Sequence, residues 1–170
     1  RMRPTVGDID LLVAAADSQA VIAAFVSRPD VERVLGQGGV KASVEFTYGL
    51  RAQLWAHPPE RFGTALQYAT GSKDHNVRLR ELALKQGLSL SEHALERKDG
   101  GGILCARDEE VYTALGLPWI PPELREDRGE IEAAHAGRLP RLVEFADLRG
   151  DLHAASGGLE AAIEAWKRIE

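Results

Sequence analysis

The sequence predicts an α+β fold: a small mixed sheet with a helix packed on it, followed by a helix-and-hairpin unit. Three observations carry that expectation. Strand-like runs flank an amphipathic helix within the first 57 residues, Pro58-Pro59 closes that segment, and helical stretches with a glycine-rich turn dominate the rest of the chain. With 170 residues and 44% hydrophobic content, the chain is large enough to bury a real core.

Residues 8–14 alternate at first and are then apolar throughout, the pattern of a strand running into a core. A helix follows, with Asp17 or Ser18 as its cap, Ala20, Val21, Ala24 and Phe25 as its apolar face, and Pro29 as its stop. Further strands are expected at about 40–47 and 50–57, joined by a two-residue turn at Tyr48-Gly49. Helices are expected at 60–69 and 73–86, separated by Thr70-Gly71-Ser72, with Gly87 ending the second. Lys98-Asp99-Gly100-Gly101-Gly102 reads as a hairpin loop. A short helix at 108–115 stops at Gly116, Pro118, Pro121 and Pro122 force an irregular passage, and 129–136 reads as helical again. A last helix is expected at 159–169. The division predicted is a sheet unit at 1–57, a helix-and-hairpin unit at 60–138 and a tail at 139–170.

Composition narrows the function classes. No run of about 18 apolar residues exists, so no membrane span is expected. The single cysteine, Cys105, allows neither an internal disulfide nor a thiolate metal cluster and fits a reducing cytoplasm. The formal charge of −5 argues against a phosphate-binding surface spread over the whole chain. Residues 1–100 carry 13 Lys/Arg against 12 Asp/Glu, whereas 101–170 carry 8 against 14, so a polyanion site is expected in the first hundred residues. The start shows neither an apolar leader nor a cleavage signal, and the chain reads as a piece of something longer.

The sharpest chemical signal is Gly7-Asp8-Ile9-Asp10 at the start of the first strand. Residues i and i+2 share a strand face, so both carboxylates converge, an arrangement that favours a divalent cation between them. The glycine lets a backbone or phosphate approach closely. A bare Gly-Asp-x-Asp also fits a solvated strand end, and 72–86 alone also fits an ordinary amphipathic helix carrying Val77, Leu79, Leu82 and Leu84.

Three separated blocks add context: 1–12, the stretch Gln67-Tyr68-Ala69-Thr70-Gly71-Ser72-Lys73-Asp74-His75-Asn76-Val77-Arg78-Leu79-Arg80, and 115–126 with 129–134. In this order they resemble the family X DNA polymerases in the form found in bacterial members. The resemblance implies a polymerase beta-like nucleotidyltransferase sheet, the palm, followed by a nucleotide-selecting thumb or fingers subdomain. It implies a DNA-directed DNA polymerase acting in gap-filling repair, with Mg²⁺ or Mn²⁺ as cofactor and primed or gapped DNA and a dNTP as partners. The metals would lower the pKa of the attacking 3′-hydroxyl and offset triphosphate charge.

By the same resemblance Asp8 and Asp10 match the metal ligands, and Arg1 matches an arginine holding the incoming triphosphate. Tyr68 sits beside the sugar and Thr70-Gly71 form a backbone kink. Asn76 matches the side chain that reads the minor-groove edge of the incoming base, where N3 and O2 acceptors are common to all pairs. Arg80 matches the residue that touches the template, and Lys73 and Arg78 join it as candidate DNA contacts. The run 147–153 resembles the start of a metal-dependent phosphoesterase (PHP) domain.

The sequence departs from the family at three places. Gln53 stands where the family has a third catalytic aspartate, Ala69 replaces a phenylalanine, and Ala155 replaces the second histidine of the phosphoesterase His-x-His, leaving His153 inert. A two-residue turn at Tyr48-Gly49 would put Val44 opposite Gln53 and Glu45 opposite Ala52, on the other face, so Glu45 is not expected to substitute. Glu123, Arg125 and Glu126 are expected to form surface or inter-segment ion pairs of small worth. His75, His93 and His135 show no metal-ligand spacing. Two other readings remain: a related nucleotidyltransferase acting on another hydroxyl, and a degenerate domain that binds DNA or nucleotide without catalysis.

Overall fold

The computed structural model describes residues 1–2, 7 and 9–149. The chain divides into two compact units, Arg1–Leu139 and Pro140–Glu170. The first unit opens with β1 (Ile9–Ala14), α1 (Ser18–Val26), β2 (Val31–Gln37), β3 (Lys41–Phe46) and β4 (Arg51–His57). They form one sheet in the order β1-β4-β3-β2, with β1 parallel to β4 and the other pairs antiparallel. Asp17 is the cap of α1, its Oδ1 accepting from Ala20 N at 3.0 Å.

One face of the sheet packs on α1. Ala42, Val44, Phe46, Ala52, Leu54 and Ala56 form a closed core with Ile22 and Phe25, and the Phe25 ring meets Phe46 edge-on at 6.4 Å. The other face carries the alternate residues, and it is open. β2 is absent from the sequence expectation. It is an edge strand with two register shifts, and six of its seven residues are exposed, so neither face imprints the alternation that would reveal it.

The β3–β4 turn corrects the predicted register. Phe46 N donates to Leu50 O at 2.9 Å around a three-residue loop, Thr47-Tyr48-Gly49, with Gly49 at φ +80°. Ser43 therefore faces Gln53, Val44 faces Ala52 and Glu45 faces Arg51. A one-residue slip moves every side chain to the opposite face, so Glu45 shares the open face with Gln53.

After a 3-10 turn at Pro59–Arg61 come α2 (Phe62–Thr70) and α3 (Lys73–Lys85). Ser72 Oγ caps α3, accepting from His75 N at 3.2 Å, and Gly87 at φ +77° follows its end. The strands β5 (Leu88–Leu90), β6 (Leu95–Arg97) and β7 (Gly102–Ile103) make a small antiparallel sheet, and α4 (Asp108–Ala114) and α5 (Glu130–His135) complete the unit. Their second core gathers Leu79, Ala83, Leu95, Val111, Leu115 and Ile120. Gly63 joins α2 to the segment before α4: a Cβ there would lie 2.2 Å from Arg107 O.

In the second unit, Arg141 Nη2 donates to Asp147 Oδ1 at 2.6 Å around a 3-10 turn at Phe145–Asp147. The expected helix at 159–169, His153 and Ala155 lie outside the described residues, as does Asp8. Among the described residues no helix is long and apolar enough to cross a membrane.

Candidate active site and nucleotide pocket

On the open sheet face, the parallel pairing of β1 and β4 sets Asp10 directly beside Gln53, and Ser43 follows on β3. Arg51 and Glu45 lie one step along the same face. Glu45 accepts from Arg33 and lies 3.7 Å from Arg51 Nε, and the Arg33 hydrogen bond holds its carboxyl below the usual carboxylate range. The carboxylate nearest Gln53 on β3 is thus committed to two arginines. At the position matched to the third catalytic carboxylate stands a neutral amide, which can lend an oxygen to a cation but cannot accept a proton. Among the described residues no group of three His, Cys, Asp or Glu side chains is placed to hold a metal. Asp10 is exposed on this face, and its carboxyl group is an oxygen donor of the kind a hard cation takes.

A cleft of about 180 Å³ opens beside Asp10. It is lined by Asp10 and Leu12 of β1, Trp55 and His57 of β4, Ala65, Tyr68 and Ala69 of α2, and Glu92. Ala69 is small enough to leave this space open. Trp55 is flanked by Lys41 Nζ at 4.1 Å from its ring centroid, and His57 lies nearly parallel to it at 6.5 Å. Burial, with His93 close by, pushes the His57 imidazole below its ordinary value, so the cleft's histidine is neutral near pH 7.

At the α2–α3 junction the Gly71–Ser72 peptide is cis and Gly71 has φ +68°. That positive φ favours glycine, and a Cβ on Gly71 would lie 2.6 Å from Arg1 Nη1, the flexible end of that side chain. Arg1 Nη1 donates to Thr70 O at 2.9 Å and its Nε to Glu126 Oε1 at 3.0 Å. Arg1 thus reaches the same turn as Tyr68, Gly71 and Asn76. Asn76 is buried and its amide is held at both ends: Nδ2 donates to Tyr68 O at 2.8 Å, and Oδ1 accepts from Gln67 Nε2 at 2.8 Å.

Behind Asn76 lies a buried polar chain. His75 Nδ1 donates to Glu130 Oε1 at 2.6 Å and His75 Nε2 accepts from the Tyr112 hydroxyl at 2.9 Å. Burial pushes the His75 imidazolium down and outweighs the attraction of Glu130, so the ring is neutral. Burial opposes charge on Glu130 as well, but the His75 bond and the Asp127 and Arg128 N–H groups hold its carboxyl below the usual range. Burial also pushes the Tyr112 phenol up, keeping it protonated.

Arg125, expected in a surface or inter-segment ion pair of small worth, forms an inter-segment pair but is fully buried. Its Nη2 donates to Asp108 Oδ2 at 2.7 Å and its Nε to Ile120 O at 2.8 Å, while the Tyr112 and Trp119 rings lie 4.9 and 5.7 Å from the guanidinium carbon. Arg125 O accepts from Ser72 N at 2.9 Å, which ties this buried cation to the cap of α3.

The three cations proposed for DNA part company on α3. Residues 73, 76, 77 and 80 fall on one face by helical spacing, and 78 points away from it. Lys73 and Arg80 are exposed and form no ion pair among the described residues. Arg78 is surrounded by carboxylates: Glu132 at 2.6 Å, Glu81 at 3.4 Å and Asp127 at 3.6 Å. Sequence reading missed Gln67, Tyr112, Glu130 and Asp108. The signal for Gln67 was present, a lone amide inside the apolar run Ala65-Leu66-Gln67. Its partner Asn76 lies nine residues on, on the next helix, and no periodicity within one helix points to it.

The family model described as DNA polymerase beta thumb matches residues 65–126. The DNA polymerase/3'-5' exonuclease PolX of Bacillus subtilis is 35% identical over 173 aligned residues, covering 100% of this chain and 30% of that protein. DNA polymerase lambda of Rattus norvegicus is 38% identical over 80 residues, 41% of this chain and 14% of that protein. The chain therefore spans under a third of the length of these relatives. A polymerase beta from Leishmania infantum, solved as a ternary P/T complex, shares the fold with a TM-score of 0.61 at 20% identity, covering 73% of this chain and 63% of that one. The chain belongs to the family X DNA polymerases and has the polymerase beta type of α+β fold.

Proposed function

We propose that this chain is the nucleotidyl-transfer region of a DNA-directed DNA polymerase, joining a dNTP to a primer 3′-hydroxyl in gap-filling repair in the cytoplasm. The division of labour proposed is chemistry on 1–57 and nucleotide selection on 60–138, with 139–170 as a connection toward a PHP domain. The observation that carries this reading is that Asp10 and Tyr68 line one cleft while Arg1 reaches the Thr70-Gly71 turn beside it. A single face thus offers a carboxylate, an aromatic wall and a guanidinium.

Asp8 and Asp10 would hold Mg²⁺ or Mn²⁺, which supplies Lewis-acid activation of the 3′-hydroxyl and charge neutralisation when bound. Arg1 offers a cation to the triphosphate. Tyr68 supplies a flat wall for the sugar, and the Nδ2 hydrogen of Asn76 that Tyr68 O leaves unused can donate to N3 or O2 of the base. Lys73 and Arg80 present positive charge to the phosphate backbone of gapped DNA. Transfer forms the bond between the 3′-oxygen and the α-phosphorus and releases pyrophosphate.

A second reading, a domain that binds without catalysis, is favoured by the neutral Gln53 beside Asp10. Primer extension on gapped DNA with Mn²⁺ separates the two. Catalysis predicts measurable extension by the parent, at least tenfold faster extension by Gln53→Asp, and none by Asp10→Ala. Binding of DNA and dNTP with no extension by the parent or by Gln53→Asp establishes the second reading instead.

A further inference from the structure

The orientation of the Asn76 amide is imposed by its neighbours. The Tyr68 carbonyl can only accept, so the Asn76 group facing it at 2.8 Å is the NH₂. Oδ1 must then accept, and Gln67 Nε2 donates to it at 2.8 Å. The Gln67 side chain also lies close enough to the Tyr112 hydroxyl to act on it electrostatically. Tyr112 passes its own hydrogen to His75 Nε2 at 2.9 Å, and His75 Nδ1–H ends on Glu130 Oε1 at 2.6 Å. At the far end Glu130 also accepts from Asp127 N at 2.9 Å and Arg128 N at 2.7 Å, so both of its oxygens act as acceptors. The Tyr68 carbonyl therefore sets the direction of the Asn76 and Gln67 donors, and the Glu130 carboxylate sets that of the His75 and Tyr112 donors. Gln67, His75 and Tyr112 are at most 2% exposed, so water does not compete within the chain.

Resting on the proposed nucleotide pocket, we infer that Gln67 is a positioning residue for base reading: it fixes the Asn76 amide so that its one uncommitted N–H is presented to the minor-groove acceptor of the incoming nucleotide. Without a donor at 67, Oδ1 loses its partner, and the amide can turn to present oxygen to an acceptor, which repels it. Gln67 has no part in binding the triphosphate or sugar. Its effect is confined to the acceptor atom on the base.

The test uses the 170-residue chain, gapped DNA with a thymine template base, a dideoxy-terminated primer that blocks transfer, and Mg²⁺. Apparent Kd values are compared for dATP and for 3-deaza-dATP, in which the N3 acceptor is a C–H group. The parent should prefer dATP by about fivefold, the worth of one hydrogen bond of ~1 kcal/mol. Asn76→Ala should bring the ratio to one. Gln67→Met should do the same while leaving the Kd of 3-deaza-dATP within twofold of the parent, a pattern that general loss of packing does not produce. Tyr112→Phe, which removes only the hydroxyl, should give an intermediate ratio, and it decides the matter if Gln67→Met fails to fold. An undiminished ratio in folded Gln67→Met, or in Tyr112→Phe when it is the deciding variant, overturns the positioning role. A ratio of one in the parent, or no dATP binding by it, instead overturns the reading of the pocket on which the role depends.

Discussion

The open face of the β1–β4 sheet and the buried interior around α3 handle polar groups in opposite ways. On the sheet, Asp10, Gln53, Ser43, Glu45 and Arg51 stand on a surface whose backbone is set by the apolar core on the other side. Around α3, Asp108, Arg125, His75, Tyr112 and Glu130 are inside the protein, and each bonds to another. Water can solvate any change on the first surface, but a change in the second leaves a partner buried and unpaired. The sheet face is therefore free to carry chemistry, whereas the α3 interior holds a geometry.

The sharpest way to break this contrast is Asp108→Ala. It leaves the Arg125 guanidinium buried without its carboxylate and should cost about 3–5 kcal/mol in urea unfolding. A loss below about 1 kcal/mol would show that the interior tolerates an unpaired charge and that the two regions do not differ.

Acid tests a buried histidine in each region. His57 and His75 both have native pKa values below the ordinary 6.5. The unfolded chain then binds protons first as pH falls, so the stability held by these neutral rings is complete above pH 6.5 and drains below it. For each buried ring the loss is up to about 1.4 kcal/mol per pH unit until the native ring itself titrates. Thermal melts between pH 7.5 and 5.5 should show falling Tm, with a shallower slope in His75→Gln. A flat profile would mean that the rings bind protons equally in the native and unfolded states.

The two arginines of α3 offer a finer comparison. The parent's log–log salt slope for gapped DNA should be about 2 to 4, and Arg80→Ala should lower it by a little under one unit. Arg78→Ala should leave it unchanged, because Glu81, Asp127 and Glu132 already neutralise that cation. Fluorescence anisotropy at several salt concentrations measures both; equal effects would remove the distinction between the two helix faces.

The smallest change in stability belongs to Asp10→Ala, within about 0.5 kcal/mol as at other surface positions. Calorimetry with Mn²⁺ and nucleotide should nonetheless lose its one weak binding signal in that variant. Two tight sites in the parent would contradict the role given to Gln53.

Elements with their punctuation in neighbouring residues were legible from the amino-acid order alone. Asp17 and Ser72 cap α1 and α3, Gly87 follows the end of α3, and Gly100 turns the β6–β7 hairpin, because capping and positive φ are satisfied within a few residues. The Asp10–Gln53 pairing was legible as well, through family resemblance rather than through local pattern. The polar edge strand β2 was not, since solvation on both faces erases alternation.

The sequence by itself determined the order of the elements other than β2, the carboxylate strand, the glycine at the α2–α3 turn and the charge of α3. Tertiary structure alone decided that Glu45 shares a face with Gln53, that Arg78 turns from Arg80 toward carboxylates, that Arg125 is buried, and that Gln67 orients Asn76. Each of these depends on a partner remote along the chain or on a single extra loop residue. Periodicity records which side of an element is apolar, while the choice of partner for a buried donor is made only when distant segments close around it.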